Sequence, residues 1–401
     1  ADGAGEQAAA LERLRACWAD AQARAGESRR RLAERAEGTV PFNPATWDGR
    51  RRRLLFQTVT HLPASFAIVS RALIRELQKL GVQVTLGPLR EGQPDSEWPA
   101  VTGSPEPQDR LGLIYDYRSG PAGLRAERVA YYYMWPTRLV PHWQVAEINA
   151  AASLFYTPSR ANALIARENG VRTPIRVLPH GVDPTAFPYL ERRRDPDAPY
   201  TFGSASVFHA GKGIDVLLRA FLAEFSPDEP VRLLLKHSYG RLDVEIPEDP
   251  RIELRRRFLG HENYLAFFAE LDAYVLPTRG EGFALTGLEA LSTGLPLIAT
   301  NWSGPADYLD PSDSFPLRFS FVDAAGVRIN RTRHFGLWAE PDITHLRELM
   351  RYVYTHRAEA ADAGRRAAQR VQRDWTWRRP AQQLIDDFDA LAAGVTPASG
   401  E

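Results

Sequence analysis

The sequence predicts an α/β chain of two doubly wound, Rossmann-like domains facing each other across a cleft, with a helical extension at the N-terminus. Three observations predict it. The chain is 401 residues long, more than one hydrophobic core usually serves. Short β-compatible apolar runs alternate with amphipathic helical runs on both sides of a proline-rich break. One stretch, Leu271 to Asp310, reads as strand, glycine-bearing loop, short helix and strand.

Residues 1–40 are the extension, where Ala, Arg and Glu dominate and Leu11, Leu14 and Trp18 recur at helical spacing. It is expected to pack on the body rather than to serve as a dimerisation arm, with Arg29 to Arg31 as a solvated face. Residues 41–190 form the first domain. It opens with a strand (Leu54–Val59), a loop (Thr60–Ser65), a helix closed by Gly81, and a second strand (Val82–Leu86). After the turn-rich Gly87–Asp109 come strands near 111–115, 129–134, 154–156 and 175–178, with helices near 143–152 and 159–169. Pro179 to Pro199, with five prolines, is the interdomain linker. Residues 191–377 form the second domain, with strands at 200–206, 231–236 and 252–254, helices at 215–225 and 262–270, and then the Leu271–Asp310 stretch. A loop to Gly336 and three helices follow.

Composition removes several function classes. Fifty Lys plus Arg balance fifty Asp plus Glu, so a nucleic acid or an anionic membrane is not expected as the dominant partner. Peripheral membrane contact stays open. One cysteine, Cys17, excludes an intramolecular disulfide and a multi-cysteine zinc site. The nine histidines fall into no HExxH-like spacing, so no metal is expected. With no apolar run long enough to span a bilayer and no signal-peptide pattern, the expectation is a cytoplasmic protein. P-loop, GxGxxG and GxSxG motifs are absent, so an NTPase, a dinucleotide oxidoreductase and a serine hydrolase lack support.

Chemistry concentrates at strand ends, where doubly wound sheets bind ligands. Glu281 and Glu289 have seven residues between them, at a glycine-bearing loop that runs into a helix. A helix N-terminus offers unpaired amides to an anion and favours it by about 0.3–2 kcal/mol. Two carboxylates beside an anion site suit a phosphorylated sugar or a nucleotide. Glu289 equally fits a capping box with Thr286, and Glu281 fits a solvated loop acid. Lys212 follows the first strand of the second domain, and Lys236 ends its neighbour. His61, His142, His180 and His209 lie in loops after strands, where turn and packing roles compete with ligand contact.

RVLPHGVDPTAF (from Arg176), GKGIDVLLRAF (from Gly211) and RGEGFALTGLEALSTGLPLIAT (from Arg279) resemble, in order and spacing, the retaining glycosyltransferases of family 4, which have the GT-B architecture. The resemblance is good over Leu154–Asp310, moderate over Gly336–Trp377, and limited to element order in the first half. It implies a metal-independent hexosyltransferase without a cofactor, whose substrates are a nucleotide diphosphate sugar and an acceptor hydroxyl. Glu281 then faces the donor sugar, Glu289 binds the ribose, and Lys212 neutralises the diphosphate. Gly282, Phe283, Ala284, Leu285 and Thr286 form the loop holding sugar hydroxyls and distal phosphate, and Phe258 and Leu259 approach the base. Residues 378–401 form a helix crossing back to the first domain, and Ser65 and His142 are the acceptor-side candidates. A nucleotide-sugar epimerase and a non-catalytic nucleotide-sugar-binding subunit are the alternatives. The sequence departs from the family where Ser204, instead of arginine, follows Gly203, where Ala284 and Thr286 replace glycine and proline, and where Thr60–Ser65 replaces a glycine-rich loop.

Overall fold

The computed structural model describes residues 2–60, 65–87, 111–116, 120–192, 198–238, 240, 242–256, 261–324, 326–329 and 332–397. Strands β1 (Arg53–Thr58), β2 (Gln83–Leu86), β3 (Leu111–Tyr115), β4 (Arg128–Tyr132), β5 (Leu154–Thr157) and β6 (Ile175–Val177) form one six-stranded sheet in the order β2-β1-β3-β4-β5-β6. Every pairing is parallel; Leu54 faces Leu111 and Phe56 faces Leu113 across β1 and β3. Runs such as LGLIY are buried at every position, as a parallel sheet covered on both faces requires.

The helices of this half show why the faces close. Helix α1 (Asp2–Gly38) is the extension, and α2 (Ser65–Lys79) buries Val69, Leu73, Ile74 and Leu77 along one stripe. Helix α2 stops before Gly81, whose φ of +84° suits a glycine after a helix end. Helices α3 (His142–Ala151) and α4 (Arg160–Glu168) follow β4 and β5. Helix α1 lies on α3, held by a buried ion pair between Arg31 and Glu147 at 3.1 Å and by a 2.8 Å bond from Ser28 Oγ to Glu147. The expected solvated face at Arg29–Arg31 is therefore wrong for Arg31. A helix turns one residue in three or four inward, and a charge run continues through that position when the core offers a carboxylate.

The second sheet contains β7 (Tyr200–Ser206), β8 (Val231–His237), β9 (Ile252–Arg256), β10 (Ala273–Leu276), β11 (Leu297–Thr300) and β12 (Phe315–Leu317) in the order β12-β11-β10-β7-β8-β9, again all parallel. Helices α5 (Ile214–Glu224), α6 (His261–Ala269), α7 (Leu285–Ser292) and α8 (Pro305–Tyr308) connect these strands. The order reverses between β7 and β10, which makes the carboxyl ends of those two strands the switch point.

The segment expected as loop up to Gly336 is a pair of hairpins. Strand β13 (Phe319–Asp323) pairs antiparallel with β16 (Leu337–Pro341), and β14 (Val327–Ile329) pairs with β15 (Thr332–His334). Its strands are short and β13 is largely exposed, so the hydrophobic alternation that would reveal them is weak. Helices α9 (Ile343–Thr355) and α10 (Arg357–Asp374) complete this half. Helix α11 (Arg378–Ala392) packs on α2, and its buried Asp387 takes a 2.9 Å bond from the Tyr156 hydroxyl of the first sheet. The two chain crossings between the halves touch, with the Val182 N–H donating to the Trp375 carbonyl at 2.8 Å. No helix among the described residues is long and apolar enough to cross a membrane.

Candidate active site

Lys212 ends a single 3-10 turn, Ala210–Lys212, between β7 and α5. His209 caps the turn by accepting the Gly211 N–H on Nδ1 at 3.2 Å. Burial, with Lys212 and His334 nearby, pushes the His209 pKa down to about 3, so the imidazole is neutral and free to accept. Gly213 follows at φ +64°, where a Cβ would collide with the Pro277 carbonyl. Glycine there lets the turn lie directly on the loop after β10.

That loop clamps the turn. Thr278 Oγ1 donates to the Gly211 carbonyl at 2.9 Å and the Arg279 N–H to the same oxygen at 2.8 Å. The buried Arg279 guanidinium reaches the Ala210 carbonyl at 2.6 Å, both Asp215 oxygens at 2.8 Å, and Glu340 of β16 at 2.8 Å. Sequence reasoning missed Arg279. Its partners lie 64 and 61 positions away, and no local spacing signals them.

The clamp joins the two residues expected to do chemistry. The Lys212 ammonium donates to Glu281 Oε1 in a partly buried ion pair, and Thr278 Oγ1 reaches the same oxygen at 3.3 Å. No bond among the described residues reaches Glu281 Oε2. Lys212 comes from the end of β7 and Glu281 from the end of β10, so the pair straddles the switch point.

Gly282 and Phe283 carry the chain from Glu281 to α7. The helix begins at Leu285, and Ala284 stands at the cap position with φ 65° and ψ 67°. The capping box expected from Thr286 and Glu289 does not form, because Thr286 lies inside the first turn and no side chain caps the helix. A left-handed residue at the cap delivers the chain so that the Leu285 and Thr286 amides begin the helix facing outward. That backbone conformation explains why a glycine suits position 284; an alanine carries about 1 kcal/mol of strain there. The Ala284 carbonyl accepts the Tyr308 hydroxyl at 2.9 Å, and the Glu281 carbonyl accepts Ser303 Oγ.

Glu289 points into the protein and is buried. Burial raises its pKa to about 7, while Lys236 and a hydrogen bond from Tyr264 hold it from rising further. The buried Lys236 sits 4.8 Å over the Tyr264 ring and donates to Ser238 Oγ at 2.8 Å.

The remaining candidates are more dispersed. Ser65 starts α2 and His142 starts α3, and both are exposed, away from the Lys212–Glu281 pair in every described contact. His180 is buried among Tyr115, Tyr132, Phe283 and Trp377, with its ring 4.8 Å from that of Phe283. Phe258, Leu259 and His61, with most of the turn-rich segment after Gly87, lie outside the described residues. The first half supplies the opposite wall: a Cβ on Gly282 would collide with Met134 and one on Gly280 with the Pro136 carbonyl. Arg160 pairs with Asp307 at 3.3 Å across the same boundary. Among the described residues, no group of three or more His, Cys, Asp or Glu is placed to hold a metal ion.

Comparison with known proteins agrees with this geometry. Residues 199–318 match a family described as glycosyl transferases group 1, and residues 261–384 match one described as family 4 glycosyltransferase in conflict systems. A glycogen synthase of Mycobacterium tuberculosis is 26% identical over 230 residues, 55% of this chain and 49% of its own length. A D-inositol 3-phosphate glycosyltransferase of Pseudarthrobacter chlorophenolicus is 25% identical over 257 residues, 60% of this chain and 56% of its own. The matched part thus spans about half the length of these relatives. Among solved structures, a sucrose-phosphate synthase of Thermosynechococcus elongatus superposes with a TM-score of 0.66 at 16% identity, covering 86% of this chain and all of its own. Anabaena HepE in complex with UDP and glucose gives 0.62 at 13% identity, covering 85% of this chain and all of its own. These likenesses show the fold, two doubly wound domains of the GT-B type.

Proposed function

We propose, for a chain that belongs to the family-4-type glycosyltransferases on a GT-B fold, that it moves a hexose from a nucleotide diphosphate sugar to an acceptor hydroxyl with retention of configuration. The supporting observation is the Lys212–Glu281 pair at the switch point, one turn from the amino end of α7. A diphosphate placed there draws the ammonium from Glu281, and the Leu285 and Thr286 amides share the charge that develops as it leaves. Released from Lys212, Glu281 orients the sugar and stabilises positive character at the anomeric carbon. The bond to the acceptor oxygen forms on the face from which the phosphate departs, and the departing phosphate oxygen takes the acceptor proton. Glu289 accepts the ribose hydroxyls. No step calls for a metal or a cofactor, and a cytoplasmic site suits both a nucleotide-sugar donor and the lone cysteine.

UDP-glucose is the first donor to try, because HepE has been solved with it. Incubation with the UDP, GDP and ADP sugars, alone and with alcohol acceptors, should release nucleoside diphosphate and give a product whose anomeric configuration, read by NMR, matches the donor. Inversion would refute the stereochemical reading. An isomerised donor without diphosphate release would favour the epimerase, and binding without release the non-catalytic subunit.

A further inference from the structure

Lys212 follows the end of β7 and brings one cation to the carboxyl end of the second sheet. The neighbouring strand supplies another. Lys236 lies on β8, in register with Ala205 of β7 and so between the two serines of that strand. It is 4% exposed, an expensive place for an ammonium unless it serves a partner. Ser204 and Ser206 alternate to the other face of β7, so within that strand Lys236 meets no hydroxyl, and its ammonium donates to Ser238 Oγ at 2.8 Å.

Tyr264 of α6 ties this lysine to the donor site. Its ring face carries the ammonium at 4.8 Å, and its hydroxyl meets the Glu289 carboxyl. A carboxylate accepts hydrogen bonds and cannot donate them, whereas an ammonium donates and cannot accept. Set around one spot, the two are complementary to a vicinal diol, whose hydroxyls donate to the carboxylate and accept from the ammonium. We infer that Lys236 is a nucleotide-binding residue which, opposite Glu289, holds the ribose hydroxyls of the donor and selects ribose over 2′-deoxyribose.

This rests on the nucleotide-sugar reading, and the experiment separates the two. UDP, GDP and ADP are titrated by calorimetry, and the tightest binder is compared with its 2′-deoxy counterpart on wild type, Lys236→Met and Lys236→Gln. Wild type should prefer the ribonucleotide by about tenfold or more, as a charge-assisted hydrogen bond supports. Lys236→Met keeps the apolar stem and should lose about tenfold in ribonucleotide affinity while changing the deoxynucleotide less than about threefold. Lys236→Gln keeps an N–H donor and should retain part of the preference; it carries the comparison if the methionine variant does not fold.

A second readout is the pH dependence of binding. The groups facing Glu289 are Lys236 from β8, Tyr264 from α6, Tyr274 from β10 and Tyr308 from α8. Lys236 is the cation among them, so its loss should move the pH midpoint of nucleotide affinity upward. Equal losses for both sugars, or an unmoved midpoint, would overturn the inference and leave Lys236 a packing residue. If none of the three diphosphates binds wild type, the donor reading itself fails.

Discussion

Two ion pairs, one buried in the first half of the molecule and one partly buried in the second, look alike until their surroundings are compared. Arg31–Glu147 has side-chain exposures of 10% and 0%, and Lys212–Glu281 of 18% and 12%. Glu147 lies between α1 and α3, and takes bonds from Ser28, Arg31 and the Ala122 N–H. Both of its carboxylate oxygens are bonded within the protein. Both bonds to the Glu281 carboxylate converge on Oε1, leaving Oε2 for a ligand, and the pair sits where the strand order reverses. The first pair is a fastener, and the second is the pair proposed to meet the donor. Uncommitted bonding capacity at a switch point separates them better than burial does.

The largest expected effect tests the fastener. Arg31→Met leaves Glu147 buried without its cation and should cost about 3–5 kcal/mol in denaturant unfolding, with the specific activity of the folded fraction unchanged. A cost below about 1 kcal/mol would place this pair with ordinary surface contacts and break the contrast.

The next concerns Glu289, whose pKa is raised by burial from the ordinary 4.5 to about 7 in the folded chain. Between those values the unfolded chain binds fewer protons than the folded one, so stability falls as pH rises, by up to about 3 kcal/mol. Glu289→Gln stays neutral throughout. It should match wild type near pH 4.5 and unfold at a higher temperature near pH 8, which parallel thermal melts would detect.

The site residues come third. Lys212→Ala and Glu281→Gln should each lower turnover at least about tenfold with little change in melting temperature. Ser65→Ala and His142→Ala should stay within about twofold, since both side chains are exposed and outside the described contacts of the pair. A tenfold loss at Ser65 or His142 would support them as acceptor contacts. The smallest effect belongs to the loop between the two glutamates. Ala284→Gly relieves left-handed strain but gains unfolded-state entropy, so a net stabilisation of at most about 0.6 kcal/mol is expected. A lower melting temperature would show that the methyl packs more usefully than its backbone suggests.

Much of the second half was legible because its signals are local. Strand β7 occupies the span read from sequence, and Lys212 and Glu281 each follow a strand visible as an apolar run. Helix α7 was legible in place but not in its cap, since a left-handed alanine has no side-chain signature and Thr286 imitates a better-known one. The first half was legible in the positions of its strands as well, with β3 at the span read from sequence. Its acceptor-side candidates, Ser65 and His142, are exposed at the starts of α2 and α3.

By itself the sequence determined the alternation of strands and helices and which residues stand at strand ends, because hydrophobic period, turn chemistry and helix stops act over a few positions. Tertiary structure alone decided that Lys212 meets Glu281 across 69 residues, that Arg279 pins the turn between them, and that Glu289 faces inward to Lys236 and Tyr264. Those pairings follow from sheet order and from desolvation, which depend on the whole packed chain and leave no trace in local spacing.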